Sequence, residues 1–394
     1  MQVTQIYDLL STIYTEVVGD SEIALKEDLT NIVDVGNVLL SKDYREPYVN
    51  SLLNRIGRMV FVDRPYTGIA PNVMRQGWEW GSIMSKSRTK DFTAVENPAW
   101  TLTAGETVNQ FEYNPPVVQT TLFNELVTWE IDCSFVQRQI KQSFLGYADM
   151  DRFLGMIRST ITNNQVQNID NLIMRTLNCF IGRRIYKGIG VVDLLASYNK
   201  AFGTSLTPSQ AIVNKEWYRH AAYLILLYND RLRPKTAIFS ENEPGYTTFT
   251  PKEYRHLVLL SDFACGLDVY LQSETFHNGL TSLGNYETVP YWQAPGNDFS
   301  DLEITSSINI VLPQITPTVT VNHNYIVGFL FDNDALGMLE EDRRVEAAYN
   351  SKGEYWNNFF KVDTRLFNDP AENGIVFTMG SGTITPTPDP TPAQ

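Results

Sequence analysis

The chain has 394 residues, 43% hydrophobic and 12% aromatic, a globular composition with enough apolar material for two or three packed units. Its net charge of -14 disfavours tight non-specific binding to nucleic acid, although a local basic face is still compatible with that total. The three cysteines, Cys133, Cys179 and Cys265, lie far apart with no CxxC spacing, so we expect buried free thiols in a reducing compartment.

The first residues carry no charged leader, and no stretch approaches the eighteen or so apolar residues of a membrane span. The expectation is a protein made and kept in the cytoplasm, or in a particle assembled there. Val3, Ile6, Leu9, Leu10, Ile13, Tyr14 and Val17 follow helical spacing and predict an amphipathic N-terminal helix. It can pack on its own body or on another subunit. A mostly irregular, acidic stretch through Glu22, Glu27, Asp28 and Asp34 should follow, then a short helix over Tyr48 to Arg58.

Residues 56–127 read as a long extended hairpin. Met59 to Arg64 is the entering strand and Tyr113 to Val127 the leaving one. The long connection holds Trp78, Trp80, Phe92, Trp100 and Phe111 interleaved with Arg75, Lys86, Arg88 and Lys90. Connections this long are functional or disordered, and disordered segments are poor in aromatics. Such a composition suits a single-strand nucleic-acid platform or the anchor set of a protein interface. The acidic remainder of the chain offers complementary partners on a second copy, which favours subunit contact.

Tyr147 to Ile185 contains no proline and carries an apolar stripe from Phe153 to Phe180 at three- and four-residue steps. It predicts one long helix lying with one face on a sheet. Residues 186–320 then suggest an α/β unit. Thr207 and Pro208 should start a helix running to Leu232, and Thr236 to Ser240 should form a buried strand. Thr250-Pro-Lys-Glu253 resembles a capping box, predicting a helix to Cys265, ended by Gly266, with a strand over Leu267 to Leu271. Gly279 to Gly296 should be an exposed aromatic loop. Tyr325 to Phe331 is wholly apolar and predicts a central strand. Half-buried strands are expected over 344–349, 355–367 and 374–379. Since the last of these must pair with chain laid down much earlier, the α/β unit reads as an insertion. Thr383 to Gln394, with alternating prolines, should be a disordered tail.

Chemistry has little foothold. His220, His256, His277 and His323 form no ligand pattern, and no phosphate-binding glycine loop or GxSxG elbow is present, so no catalytic residue, metal or cofactor is expected. Asp332-Asn-Asp334 offers oxygen ligands, but Ala335 and Leu336 break a calcium-loop pattern and favour a solvated turn. Glu241 and Glu243 likewise read as a wet loop.

This order of parts resembles the Hong Kong 97-type fold of tailed-phage major capsid proteins, an α+β architecture. The N-terminal arm is then 1–55, the extended E-loop hairpin 56–127, and the P-domain with its spine helix 128–185. The inserted A-domain is 186–320, the P-domain closing strands 321–380 and the tail 381–394. Leu53 to Tyr66, Val327 to Gly337 and Arg365 to Asp369 are similar to the corresponding runs of small short-tailed podophages. The resemblance implies a non-enzymatic subunit assembling with itself into pentamers and hexamers of an icosahedral shell, with scaffold and portal proteins as partners. The shell encloses double-stranded DNA without reading its sequence, in a virion assembled in the host cytoplasm, with no membrane involved. It places Arg64, Arg75, Trp78, Trp80, Lys86, Arg88, Lys90 and Trp100 at the intersubunit contact, and the loop near Gly279 to Gly296 at the local axis. Two other readings stay open. One is the shell of a cargo-holding bacterial nanocompartment. The other is a glycan-binding or hydrolytic phage tail component, with Asp298 and Asp301 near Trp292 and Trp356 as its carboxylates.

Overall fold

The computed structural model describes residues 3–18, 30–39, 44, 47–48, 68–75, 84–136, 147–272, 285–296, 298–299, 301–312, 315–380 and 382–386. The expected strand over 59–64 and His277 lie outside these residues, as does nearly all of the helix expected over 48–58. The chain divides into two compact units, and the division falls inside one helix and three strands.

The first unit comprises Met1–Gly68, Leu126–Asn171 and Glu340–Arg365. Helix α1 (Val3–Val18) covers the expected amphipathic stretch. Part of the stretch expected to be irregular is instead α2 (Ile32–Leu39), whose Val35 and Leu39 are buried although Asp34 shares the turn. Strand β4 (Glu125–Val136) lies beside β12 (Tyr355–Asn368), and β12 beside β11 (Leu336–Asn350). Asn358 Nδ2 donates to Cys133 O at 3.1 Å and Thr364 Oγ1 to Val127 O at 3.0 Å. Across β11 and β12, Lys361 meets Glu346 at 2.6 Å and Arg365 meets Glu341 at 2.8 Å, while Arg344 pairs with Asp363. Opposite charges facing across neighbouring strands support their pairing.

Helix α3 (Tyr147–Lys187) is the expected spine, 41 residues long and about 60 Å by its rise. The division between units falls within it, at Asn171. Its C-terminal stretch, in the second unit, is buried on more than one face. Ile173, Leu177, Phe180 and Ile181 are core residues, and so are the polar Thr176, Asn178 and Arg184.

The second unit comprises Ile69–Glu125, Leu172–Leu339 and Leu366–Gln394. Its centre is a five-stranded sheet in the order β5 (Val191–Asp193), β13 (Gly374–Thr378), β10 (Ile326–Asp332), β6 (Arg255–Leu260), β7 (Glu287–Val289). The wholly apolar β10 is central, as its composition predicts, with β13 and β6 antiparallel on either side. β13 is buried throughout rather than half-buried, because β5 and β10 flank it. The sheet draws strands from both sides of the boundary expected at 320. A three-stranded sheet, β14 (Thr383–Pro386), β9 (Val319–His323), β8 (Ile308–Leu312), brings part of the expected tail into the fold. Leu312, Val319 and Val321 pack there against Ile185 and Tyr186 of α3.

Helix α4 (Leu194–Phe202) starts on Asp193, whose carboxylate accepts from Ala196 N. The helix expected from Pro208 is broken. A turn over Pro208–Ala211 stops, and α5 (Lys215–Arg231) restarts where Asn214 Oδ1 caps the N–H groups of Glu216 and Trp217. Thr236 to Ser240 is not a strand. It makes one bridge, Thr236 to Thr248, and Ile238 is exposed. The expected helix over 250–265 and strand over 267–271 exchange places. After one turn at Lys252–Tyr254 the chain enters β6, and helix α6 (Ser261–Gln272) follows. Leu257 to Leu260 are buried, a run whose type periodicity alone does not decide. Gly266 does not end the helix but lies within it, where an added Cβ would sit 2.1 Å from the Tyr218 hydroxyl. Tyr218 in turn stacks on Phe263 and Tyr270.

Three more expectations are corrected. Trp292 is fully buried, donating from Nε1 to Ile326 O at 2.7 Å, so residues 285–296 are not a plain exposed aromatic loop. Asp332 is buried, accepting from Thr250 Oγ1 at 2.7 Å and Asp334 N at 2.9 Å, so its turn is not solvated. Cys265 is exposed, and Cys133 and Cys179 are half-buried.

Two outcomes are expected in unfolding experiments. Gly266→Ala lowers stability by about 1–3 kcal/mol, because its new methyl overlaps a ring fixed in an aromatic stack; the urea midpoint reports it at unchanged slope. His323 is buried at the end of β9, and burial lowers its pKa, partly opposed by its bond to the Asn324 carbonyl. Below about pH 6.5 the unfolded chain therefore binds a proton that the folded chain resists, and stability falls as pH drops through that value. Burial lowers His220 in the same sense, so His323→Gln should reduce this slope without abolishing it.

Candidate assembly hairpin

Strands β2 (Met84–Thr89) and β3 (Val118–Phe123) pair antiparallel from Met84 opposite Phe123 to Thr89 opposite Val118. The leaving strand begins at Val118 rather than Tyr113, since Pro115 and Pro116 offer no N–H to a ladder. Alternation places Met84, Lys86 and Arg88 on one half-covered face and Ser85, Ser87 and Thr89 in solvent.

On the covered face Arg88 Nη2 reaches Asp369 Oδ2 at 2.5 Å and Glu372 Oε1 at 2.6 Å. Lys86 Nζ lies 3.2 Å from Asp369 and 3.6 Å from Glu372, donates to the Asp334 carbonyl, and sits over the Phe367 ring. Phe123 packs beside the same ring, centroids 6.0 Å apart. Burial pulls the Arg88 pKa down, but the bonds and charges of Asp369 and Glu372 outweigh it and hold the guanidinium above its ordinary value. Just past β2, Asp91 N donates to Gly245 O at 2.9 Å, and the Asp91 carboxylate takes Lys235 and, at 2.5 Å, Thr247 Oγ1. Those two bonds, Lys235 first, hold its pKa below the usual range. Gly245 has a φ of +92°, and an added Cβ would lie 2.5 Å from Lys90 Cε, so the stem of Lys90 needs a glycine there.

The turn that carries Asp369 and Glu372 is itself fixed. Asp369 N donates to Ala335 O at 2.7 Å, and Arg184 Nη2 from α3 donates to Pro370 O at 3.0 Å and Glu372 O at 2.5 Å. Burial pushes the Arg184 pKa down to about 10. Arg183 holds Glu241 through paired contacts of 3.1 and 3.0 Å, so Glu241 is not the wet carboxylate its turn suggests.

Beyond this base, residues 90–117 expose large apolar side chains. Trp100 is 94% exposed, Val95 85%, Phe111 84%, Tyr113 82% and Phe92 73%. Of the eight residues read as contact residues, Arg64, Trp78 and Trp80 lie outside the described residues, and Arg75 pairs by its backbone with Leu339. Lys86 and Arg88 come together on Asp369 and Glu372 of their own chain. Lys90 and Trp100 are exposed. Sequence reasoning missed Asp91, Lys235, Asp369 and Glu372, and nothing in their local sequence marks them.

Among the described residues no three or more His, Cys, Asp or Glu side chains gather as a metal site, and no helix is long and apolar enough to cross a membrane. His256 stacks on Phe331 and bonds Glu287 at 3.2 Å. Asp301 caps the turn over Leu302–Thr305, and Trp356 is buried in β12, so the tryptophans of the tail-component reading are core residues rather than a glycan platform.

The architecture is that of a Hong Kong 97-type phage capsid subunit. Its likeness to the capsid of Staphylococcus phage Andhra has a TM-score of 0.52 at 11% identity, covering 81% of this chain and 86% of that one. A chain in the structure of the head fibre and inner core protein of native bacteriophage P68 gives 0.52 at 11%, covering 81% and 88%. No curated protein matches by sequence. Residues 11–378 match the family of Phi29-like phage major capsid proteins, and the chain belongs to that family. It is a major capsid protein, the subunit that self-assembles into the phage head shell.

Removing one partner of the base should be measurable. Arg88→Ala is expected to cost about 1.5–3 kcal/mol, the range for hydrogen bonds to charged groups, because Asp369 stays buried beside it; chemical denaturation of the unassembled subunit reads the loss.

Proposed function

We propose that the hairpin carried by β2 and β3 is the arm by which one subunit grips the next in pentamers and hexamers, with Trp100 as an anchor. The observation that carries this is the exposure of Trp100, Phe111, Tyr113, Phe92 and Val95 in one connection. Solvated proteins rarely present that much apolar surface unless a partner covers it. Tryptophan and tyrosine are also the side chains that most often anchor interfaces. Arg64, Trp78 and Trp80 lie outside the described residues, and we assign them to the same contact on composition.

The role is structural rather than enzymatic. Scaffold and portal proteins are the further partners of such a subunit, and assembly takes place in the host cytoplasm. The net charge of -14 supports a wall that repels packaged double-stranded DNA and lets it slide, with no sequence recognition. Assembled shells are therefore expected to bind duplex DNA weakly at physiological salt.

Trp100→Ser with Phe111→Ser tests the arm. Exposed positions tolerate substitution within about 0.5 kcal/mol, so the subunit should keep its thermal transition while closed shells vanish from electron micrographs. Normal shells from the double variant would remove the arm from the contact.

A further inference from the structure

We propose that the charged groups at the hairpin base form a two-point clasp that fixes the hairpin on its own subunit, so that the arm is presented in one orientation before any neighbour arrives. This goes further than the proposed function, on which its purpose rests, because it takes Lys86 and Arg88 out of the intersubunit contact.

Strands β2 and β3 form a two-stranded sheet of their own, and an isolated hairpin is marginally stable and free to reorient. Its direction must come from other contacts. The first point is Arg88 and Lys86 on Asp369 and Glu372. The second is Asp91, held by Lys235, Thr247 and the Gly245 carbonyl. One point grips the face of β2 and the other the second residue past its end, so together they fix tilt as well as position.

The two anchors are joined. Thr248, next to Thr247, donates from Oγ1 to Asn373 Oδ1 at 3.0 Å, and Asn373 follows Glu372. Asn373 Nδ2 donates to Thr250 Oγ1 at 3.0 Å, and Thr250 donates to the buried Asp332 at 2.7 Å. Thr236 and Thr248 exchange backbone bonds of 2.9 and 3.0 Å, which carries the same frame to Lys235. A buried, mutually bonded frame of this kind moves as one body.

An ionic clasp has a signature that an apolar one lacks. Between about 0.1 M and about 1 M salt the screening length falls from ~10 Å to ~3 Å, which weakens the more exposed Asp91–Lys235 pair most, the largely covered pairs of Arg88 and Lys86 less, and leaves apolar contact intact. The readout is the distance distribution between spin labels on Val95→Cys and Lys200→Cys in a Cys265→Ser chain, kept unassembled. The expected result is one narrow distribution at low salt that broadens at high salt. Arg88→Glu should broaden it at low salt, and adding Glu372→Arg should narrow it again. If Arg88→Glu does not fold, the salt series on the unaltered base and Asp91→Asn give the same reading. A distribution already broad at low salt, or one indifferent to both salt and charge reversal, would overturn the clasp. Shell formation is scored separately: broadening with normal assembly keeps the clasp and defeats the arm, whereas an unchanged distribution with lost assembly does the reverse.

Discussion

One buried guanidinium sets the terms for much of the second unit. Arg184 sits near the end of the long helix, almost fully enclosed, with its planar group 4.8 Å from the Phe180 ring and its Nη2 on two carbonyls of the turn after β12. An enclosed charge is tolerable only where dipoles face it, and the carbonyls of Pro370 and Glu372 do. The same turn then points the carboxylates of Asp369 and Glu372 toward the hairpin and leads into β13, which fills the gap between β5 and β10. Gly374 follows for the same reason: a Cβ there would sit 2.6 Å from the Phe180 ring. Helix end, sheet closure and hairpin base therefore share one fixed turn.

Much of the fold was legible because its signals are long. Forty residues without proline and with a periodic stripe leave little room for anything but a helix, and the apolar run from Ile326 to Phe331 reads as central strand. The exchange of β6 and α6 shows where local signals mislead. Thr250-Pro-Lys-Glu253 does start a turn, but the four buried residues after it satisfy a sheet as well as a helix. Gly266 reads as a stop, yet it is inside a helix because the Tyr218 ring leaves no room for a side chain. Trp292 and Asp332 each owe their burial to a partner distant in sequence, Ile326 for one and Thr250 for the other, which no local pattern reveals.

The hairpin divides in the same way. Its aromatic, exposed stretch was readable from composition, because placing Trp100 in solvent takes no contact with a distant part of the same chain. The fate of its cations was not. Arg88 finds its acids 281 and 284 residues later, beyond any pattern of spacing. The alternation of β2 places Lys86 and Arg88 on a face that the same chain covers.

The last described strand carries a different consequence. β14 is at the margin of its three-stranded sheet and ends on Pro386, opposite Val319. Proline has no N–H to offer, so the outer side of that strand cannot present an unbroken row of donors. A subunit that spends its life crowded against copies of itself runs a constant risk of recruiting a stray strand along an open margin. Ending the margin on an imino acid denies such a strand a continuous template, and leaves contact between copies to side chains that discriminate rather than to backbone that does not.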